Sequence, residues 1–183
     1  ALRAEVRAQL DAFEQALGRA PAFVDGHRHV HQLPIVRGVL LDELARRYPG
    51  QPRPWLRSTQ AARMRLSMHD RDWSRIVKAR TIALLGSRAF DASALELGFA
   101  QNHALLGVYD FQGGGPRYRR LLAGWLHAAS NADLLMCHPS LRGDAEDPIA
   151  NARAAEYEAL ADAGVTVADV DAPAFRGPIA DRR

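Results

Sequence analysis

The chain has 183 residues, 48% hydrophobic and 25% charged, a composition that suits one globular domain with a core and excludes a disordered or fibrous chain. Net charge is +3, supplied almost wholly by scattered arginines without a basic block or aromatic ladder, so nucleic-acid binding is not expected. No apolar run approaches the ~18 residues of a membrane span, no apolar leader opens the chain, and the single cysteine, Cys137, excludes an internal disulfide or a cysteine-rich zinc site, making a reducing cytoplasm the expected compartment.

Leu2, Val6, Leu10, Phe13 and Leu17 recur at helical spacing, predicting a helix over residues 2 to 17 stopped by Gly18. Pro21 to Asp25 reads as a short buried strand. Pro34 opens a second helix carrying Val36, Leu40, Leu41 and Leu44 to about Arg47. Trp55 to Thr59 reads as a second strand with polar residues at its exit. A helix is expected over residues 71 to 86, and a further one over Leu95 to Phe99. Leu105 to Tyr109 reads as a strand, Gly113 to Pro116 as a turn, and residues 117 to 130 as a helix. Asp133 to Pro139 is a strand, Asp147 to Ala163 a helix with Pro148 at its start, and Val165 to Val167 a last strand. The glycine run is not a phosphate loop, because no Walker lysine follows it.

Strands alternating with helices predict an α/β fold built on a parallel sheet or barrel, as one domain spanning residues 1–183. The polar residues of interest fall at strand exits, where such folds collect their sites: His27 onward, Arg57-Ser58 and His138.

His27, His29 and His31 stand at alternate positions just after a strand. On an extended segment they would share one face, with Arg28 and Val30 on the other. Imidazoles suit Zn, Fe, Ni or Cu, and the adjacent Asp25 could ligate or orient a histidine. The bland reading is a loop of hydrogen-bonding histidines.

The run Val24-Asp25-Gly26-His27-Arg28-His29-Val30-His31-Gln32-Leu33-Pro34 resembles the histidine signature of YdjC-like carbohydrate deacetylases, and more narrowly of the branch named for hopanoid biosynthesis. Leu56-Arg57 is similar to that family's second strand, Leu135 to Pro139 to its Met-Cys-His-Pro segment, and Asp147, Arg153, Glu156 and Leu160 to the helix after it. The resemblance implies a distorted (β/α) barrel that removes N-acetyl groups from amino sugars with a divalent metal, Mg²⁺ in the family, with Zn²⁺ chemically reasonable for histidine ligation. It places the metal on His27, with Asp25 beside it. His29 and His31 would face the substrate or support the ligand from behind. His138 would protonate the leaving amine, and Arg57 would stabilise the oxyanion.

The family's opening Asp-Asp-Phe-Gly strand and a later Gly-x-His segment are not found, so the chain is expected to be the C-terminal portion of the barrel. Its open edges would favour homo-oligomers. The alternatives are a non-catalytic metal- or sugar-binding remnant, and another metal hydrolase on the same scaffold. Cys137, alternating with His138, is expected to be a buried inert thiol. His69, His103, His127, Trp55, Trp73 and Trp125 are expected to be packing or surface residues, and Asn102 and Asp110 weak site candidates.

Overall fold

The first helix, α1, spans Leu2–Leu17 and closes as the sequence predicts: Gly18 takes a left-handed conformation (φ 64°) and donates its N–H to the Glu14 carbonyl. Helix α2, Pro34–Arg47, starts on its proline. The two pack as a hairpin, burying Leu10 against Leu40, Leu41 and Leu44. Ion pairs tie their outer surfaces. Arg47 reaches Asp11 and Glu14, while Arg3, Arg7 and Arg46 converge on the enclosed carboxylate of Glu43. The Tyr48 hydroxyl donates to Glu14 at 2.6 Å, and burial together with that bond pushes the phenol up to about 12.

The computed structural model describes residues 1–50, 52–61, 86–141 and 146–164. The expected helix over 71 to 86 (apart from Gly86), the strand Val165 to Val167, and the calls on His69 and Trp73 lie outside the described residues.

Four short strands, β1 (Phe23–Val24), β2 (Trp55–Leu56), β3 (Leu105–Leu106) and β4 (Leu134–Leu135), pair in parallel as β1–β2 and β3–β4. Parallel bridges Leu56 to Gln101 and Ala61 to Leu105 join the pairs. The result is one layer in chain order whose carboxyl ends share an edge. Among the described residues this layer does not close into a barrel. Each ladder is shorter than the strand expected there; single backbone bonds such as Arg57 N–H to the Val24 carbonyl extend the pairing, and side chains take up some backbone groups beyond it. The Ser58 N–H, for example, donates to the Asn102 amide oxygen at 2.7 Å.

Helix α3 spans Ser87–Glu96 rather than the expected Leu95 to Phe99. Its buried face is Ser87, Phe90, Asp91 and Ala94. Two polar residues there erase the apolar period that sequence reading relies on. Helix α4, Gly114–Ala128, begins inside the glycine run expected to form a turn, and Pro116 sits in its first turn. Helix α5 spans Ala150–Asp162. Helices α4 and α5 pack together over β3 and β4 around Tyr118, Leu121, Leu122, Trp125, Ala159 and Leu160. The first core, with Leu44, Leu56, Phe90 and Phe99, lies under α1 to α3.

Gly107 (φ 86°) follows β3, and a Cβ there would lie 2.0 Å from the Met136 carbonyl oxygen. Only glycine lets the backbones approach this closely at the strand exits.

Candidate functional site

Residues after β1 do not continue as an extended segment. His27–Gln32 forms a 3₁₀ segment interrupted by Arg28 (φ 51°) and His29 (φ 63°), both left-handed. The three histidines therefore do not share a strand face. His27 is exposed, His29 half-buried and His31 enclosed at 2% exposure. Two successive non-glycine residues in this region cost on the order of 1–3 kcal/mol each and need a surrounding frame to hold them.

His31 supplies much of that frame. Its Nδ1 accepts the Gly26 N–H at 3.2 Å. Its Nε2 lies 2.9 Å from the Arg57 carbonyl oxygen, so this nitrogen carries the proton. The ring packs edge-on against Phe90 at 4.9 Å. Burial and the nearby Arg57 guanidinium hold its pKa below the ordinary histidine value, outweighing Asp25 and the backbone bonds. His31 is thus a neutral pivot that pins the turn to the end of β2.

Arg57, just after β2, is buried. Its Nε and Nη2 both lie 2.5 Å from one Asp25 carboxylate oxygen, and Nη2 also donates to the Gly26 carbonyl at 3.2 Å. Nη1 lies 3.9 Å from the Met136 sulfur, beyond β4. Asp25, Arg57, His31 and the Met136 segment are therefore brought together at the shared strand edge. The Asp25 side chain keeps 41% exposure.

After β4, His138 faces α5. Its backbone N–H donates to Glu156, and its Nδ1 lies 3.8 Å from Glu156 Oε1. That Nδ1 is buried with no hydrogen-bond partner, while the side chain as a whole is 29% exposed. The ring sits edge-on to Phe111 at 5.2 Å. Glu156 is fully enclosed and also accepts the Tyr109 hydroxyl at 2.7 Å. Burial pushes its carboxyl up, but the His138 ring, the His138 N–H and Tyr109 more than offset it, leaving the pKa below the usual value. Burial and the same carboxylate push the Tyr109 phenol upward. Cys137 is exposed, not the buried thiol expected from strand alternation, because the β4 ladder ends at Leu135.

Sequence reading assigned no role to Glu156, although its helix was matched. The signal was a glutamate among alanines on a helix face: Ala152, Ala155 and Ala159 share its burial. It also passed over the network behind β2. There the enclosed Asp91 accepts Ser58 Oγ at 2.7 Å, Gln60 Nε2 at 2.6 Å and Gln101 Nε2 at 3.0 Å, and Thr59 bonds Gln32. Asn102, a weak site candidate, is buried and bridges Ser58 to Ala104. Asp110 pairs with Arg117 at 2.5 Å. Trp125 is core, Trp55 stacks on Phe23 at 5.0 Å, and His103 and His127 are exposed.

Among the described residues, no group of three or more histidine, cysteine, aspartate or glutamate side chains is placed to hold a metal. Asp25 already neutralises a guanidinium. The residues in view do not by themselves make a metal centre.

A parallel strand layer whose carboxyl edge gathers an Asp–Arg pair and a His–Glu pair defines an α/β protein with a polar site at its strand exits. The family model described as YdjC-like protein matches residues 1–168, and the chain belongs to that family. Proteins named carbohydrate deacetylase from Mus musculus and Homo sapiens are each 51% identical to it over 43 residues, 24% of this chain and 14% and 13% of those proteins. One from Danio rerio is 46% identical over 44 residues, 14% of its length. The matched stretch is thus a small part of these relatives. No solved structure matches. No described helix is long and apolar enough to cross a membrane.

Proposed function

We propose that this chain carries part of a hydrolase site that removes N-acetyl groups from an amino sugar. The observation that carries the reading is the family match across residues 1–168, with relatives named carbohydrate deacetylase. The polar edge fits it. Water would give up a proton to a general base outside the described residues and add to the acetamide carbonyl carbon, the C–N bond would break, and the departing nitrogen would take a proton from the His138 ring, leaving acetate and a free amine. Arg57 serves through Asp25: its Nε and Nη2 are engaged with Asp25 and Gly26. A part as oxyanion donor would need one of those bonds exchanged for substrate. His29 remains the candidate sugar contact, with His31 behind it holding the turn.

A divalent metal, Mg²⁺ or Zn²⁺, belongs to the proposal through the family resemblance, with the exposed His27 as one ligand. Its other donors would have to come from outside the described residues. The parallel layer is read as part of a distorted barrel, and a glycosylated hopanoid lipid as one candidate substrate. Acetate release from N-acetylglucosamine-bearing substrates, with metal content measured alongside, tests the reading. His27→Ala should lose both metal and turnover, and His138→Ala turnover alone. Unchanged activity in both variants sinks the assignment. A second reading, a non-catalytic sugar-binding remnant, is favoured by the lack of a three-donor set among the described residues, and sugar binding without acetate release would establish it.

A further inference from the structure

We infer that Glu156 is a positioning residue for His138, holding its ring as the Nδ1–H form and turning the other nitrogen, Nε2, toward substrate. The inference rests on the deacetylase reading only for what His138 then does.

The carboxylate has no exposure and sits on α5, directly behind the β4 exit. It bonds the backbone N–H of His138 itself, which fixes the residue's position relative to the helix. Its Oε1 lies 3.8 Å from His138 Nδ1, longer than a formed hydrogen bond. Such bonds are often long in ligand-free sites and tighten with substrate. The Nδ1 is buried and has no hydrogen-bond partner, so among the described residues this carboxylate is the group placed to stabilise a proton there. With Nδ1 buried, the 29% exposure of the side chain lies elsewhere on it.

The other groups around the ring do not compete. Arg153 Nη1 reaches the His138 carbonyl rather than the ring, and Arg153 Nε pairs with Asp147 at 2.6 Å. The Tyr109 hydroxyl donates to Glu156, fixing the carboxylate's rotation. Phe111 offers an apolar ring edge. Tyr118, its phenol pushed up by burial and by Glu156, stays neutral.

The chemical consequence is a histidine that can hold two protons. The imidazolium donates the Nε2 proton to the departing nitrogen as the C–N bond breaks. The ring is left neutral with its proton on Nδ1 facing Glu156. A glutamate serving only to tie α5 to β4 would leave the His138 tautomer unchanged on replacement by glutamine, since the amide oxygen can still accept the His138 N–H while its NH₂ donates to the Tyr109 hydroxyl oxygen.

The test uses ¹⁵N spectra of the histidine side chains, with the His138 signals assigned by their absence in His138→Gln. In the wild-type chain the neutral ring should show a protonated Nδ1 and an unprotonated Nε2. Glu156→Gln should shift the balance toward Nε2–H and lower kcat on an N-acetylated amino sugar by roughly 10- to 100-fold with little change in KM, the scale for losing an orienting partner of a functional histidine. Glu156→Asp should restore part of both. A wild-type ring in the Nε2–H form, or a tautomer unchanged in Glu156→Gln, overturns the inference. If the wild-type chain releases no acetate while the tautomer responds as expected, the positioning stands and the deacetylase reading falls.

Discussion

His31→Leu tests the reasoning about the histidine turn most directly. The ring is enclosed, bonds the Gly26 N–H and the Arg57 carbonyl, and packs edge-on to Phe90. Leucine keeps apolar bulk but leaves one buried donor and one buried acceptor unmet, about 1–2 kcal/mol each. It also loses a ring contact of about 1 kcal/mol. The expected loss is about 3–5 kcal/mol, a large part of a typical folding stability. For a chain of this size, Tm should drop by about 10 °C. Urea unfolding at neutral pH measures the loss. A change below about 1 kcal/mol with an unaltered m-value would refute the pivot role.

The pH dependence gives a second check on the same residue. The folded-state pKa of His31 is lowered from 6.5, so below that value the unfolded chain takes up a proton that the native ring refuses. Wild-type stability from this group is full above pH 6.5 and declines as pH falls toward the folded value. His31→Leu should lack that component. Equal slopes in the two proteins would count against a neutral buried ring.

Four further outcomes are expected. A Cβ on Gly26 would lie 2.7 Å from the His31 N and 2.8 Å from its Nδ1, so Gly26→Ala should cost about 1–3 kcal/mol. Gly38→Ala, at an open position within α2 with nothing within 4 Å, should add about 0.5–1 kcal/mol; thermal melts of the pair would show opposite signs. Tyr109→Phe removes a donor from the enclosed Glu156 and should destabilise by about 1–2 kcal/mol in urea unfolding. Glu14 and Glu43 have folded pKa values below 4.5, Glu14 chiefly through Arg47 and Glu43 through Arg46. Their contribution is present above pH 4.5 and lost as pH falls through the folded values. Glu14→Gln should therefore be less stable at neutral pH and show a shallower acid slope.

Elements built on one apolar stripe with a clear stop were legible from the residues alone. Helix α1 ends at Gly18 because a left-handed residue closes the last turn, and α2 begins at Pro34 because that position needs no N–H. The strands were legible in place and direction but not in length, since an apolar run does not say how far the neighbouring backbone stays in register with it. Helix α3 was misplaced because its inward face holds Ser87 and Asp91. Asp91 is tolerated there because Ser58 and Gln60, from a distant part of the chain, and Gln101 bond its carboxylate.

The site divides in the same way. Asp25, Arg57 and His138 were legible as strand-exit residues, because their positions follow from the strands before them. What each side chain faces depends on how distant segments pack. Alternation could not foresee that Arg28 and His29 turn left-handed, burying His31 and leaving His27 outside. Nor could it show that Glu156, eighteen residues after His138, lies against it. Such pairings depend on how α5 packs over β4, and packing is settled by contacts between segments that local pattern does not encode.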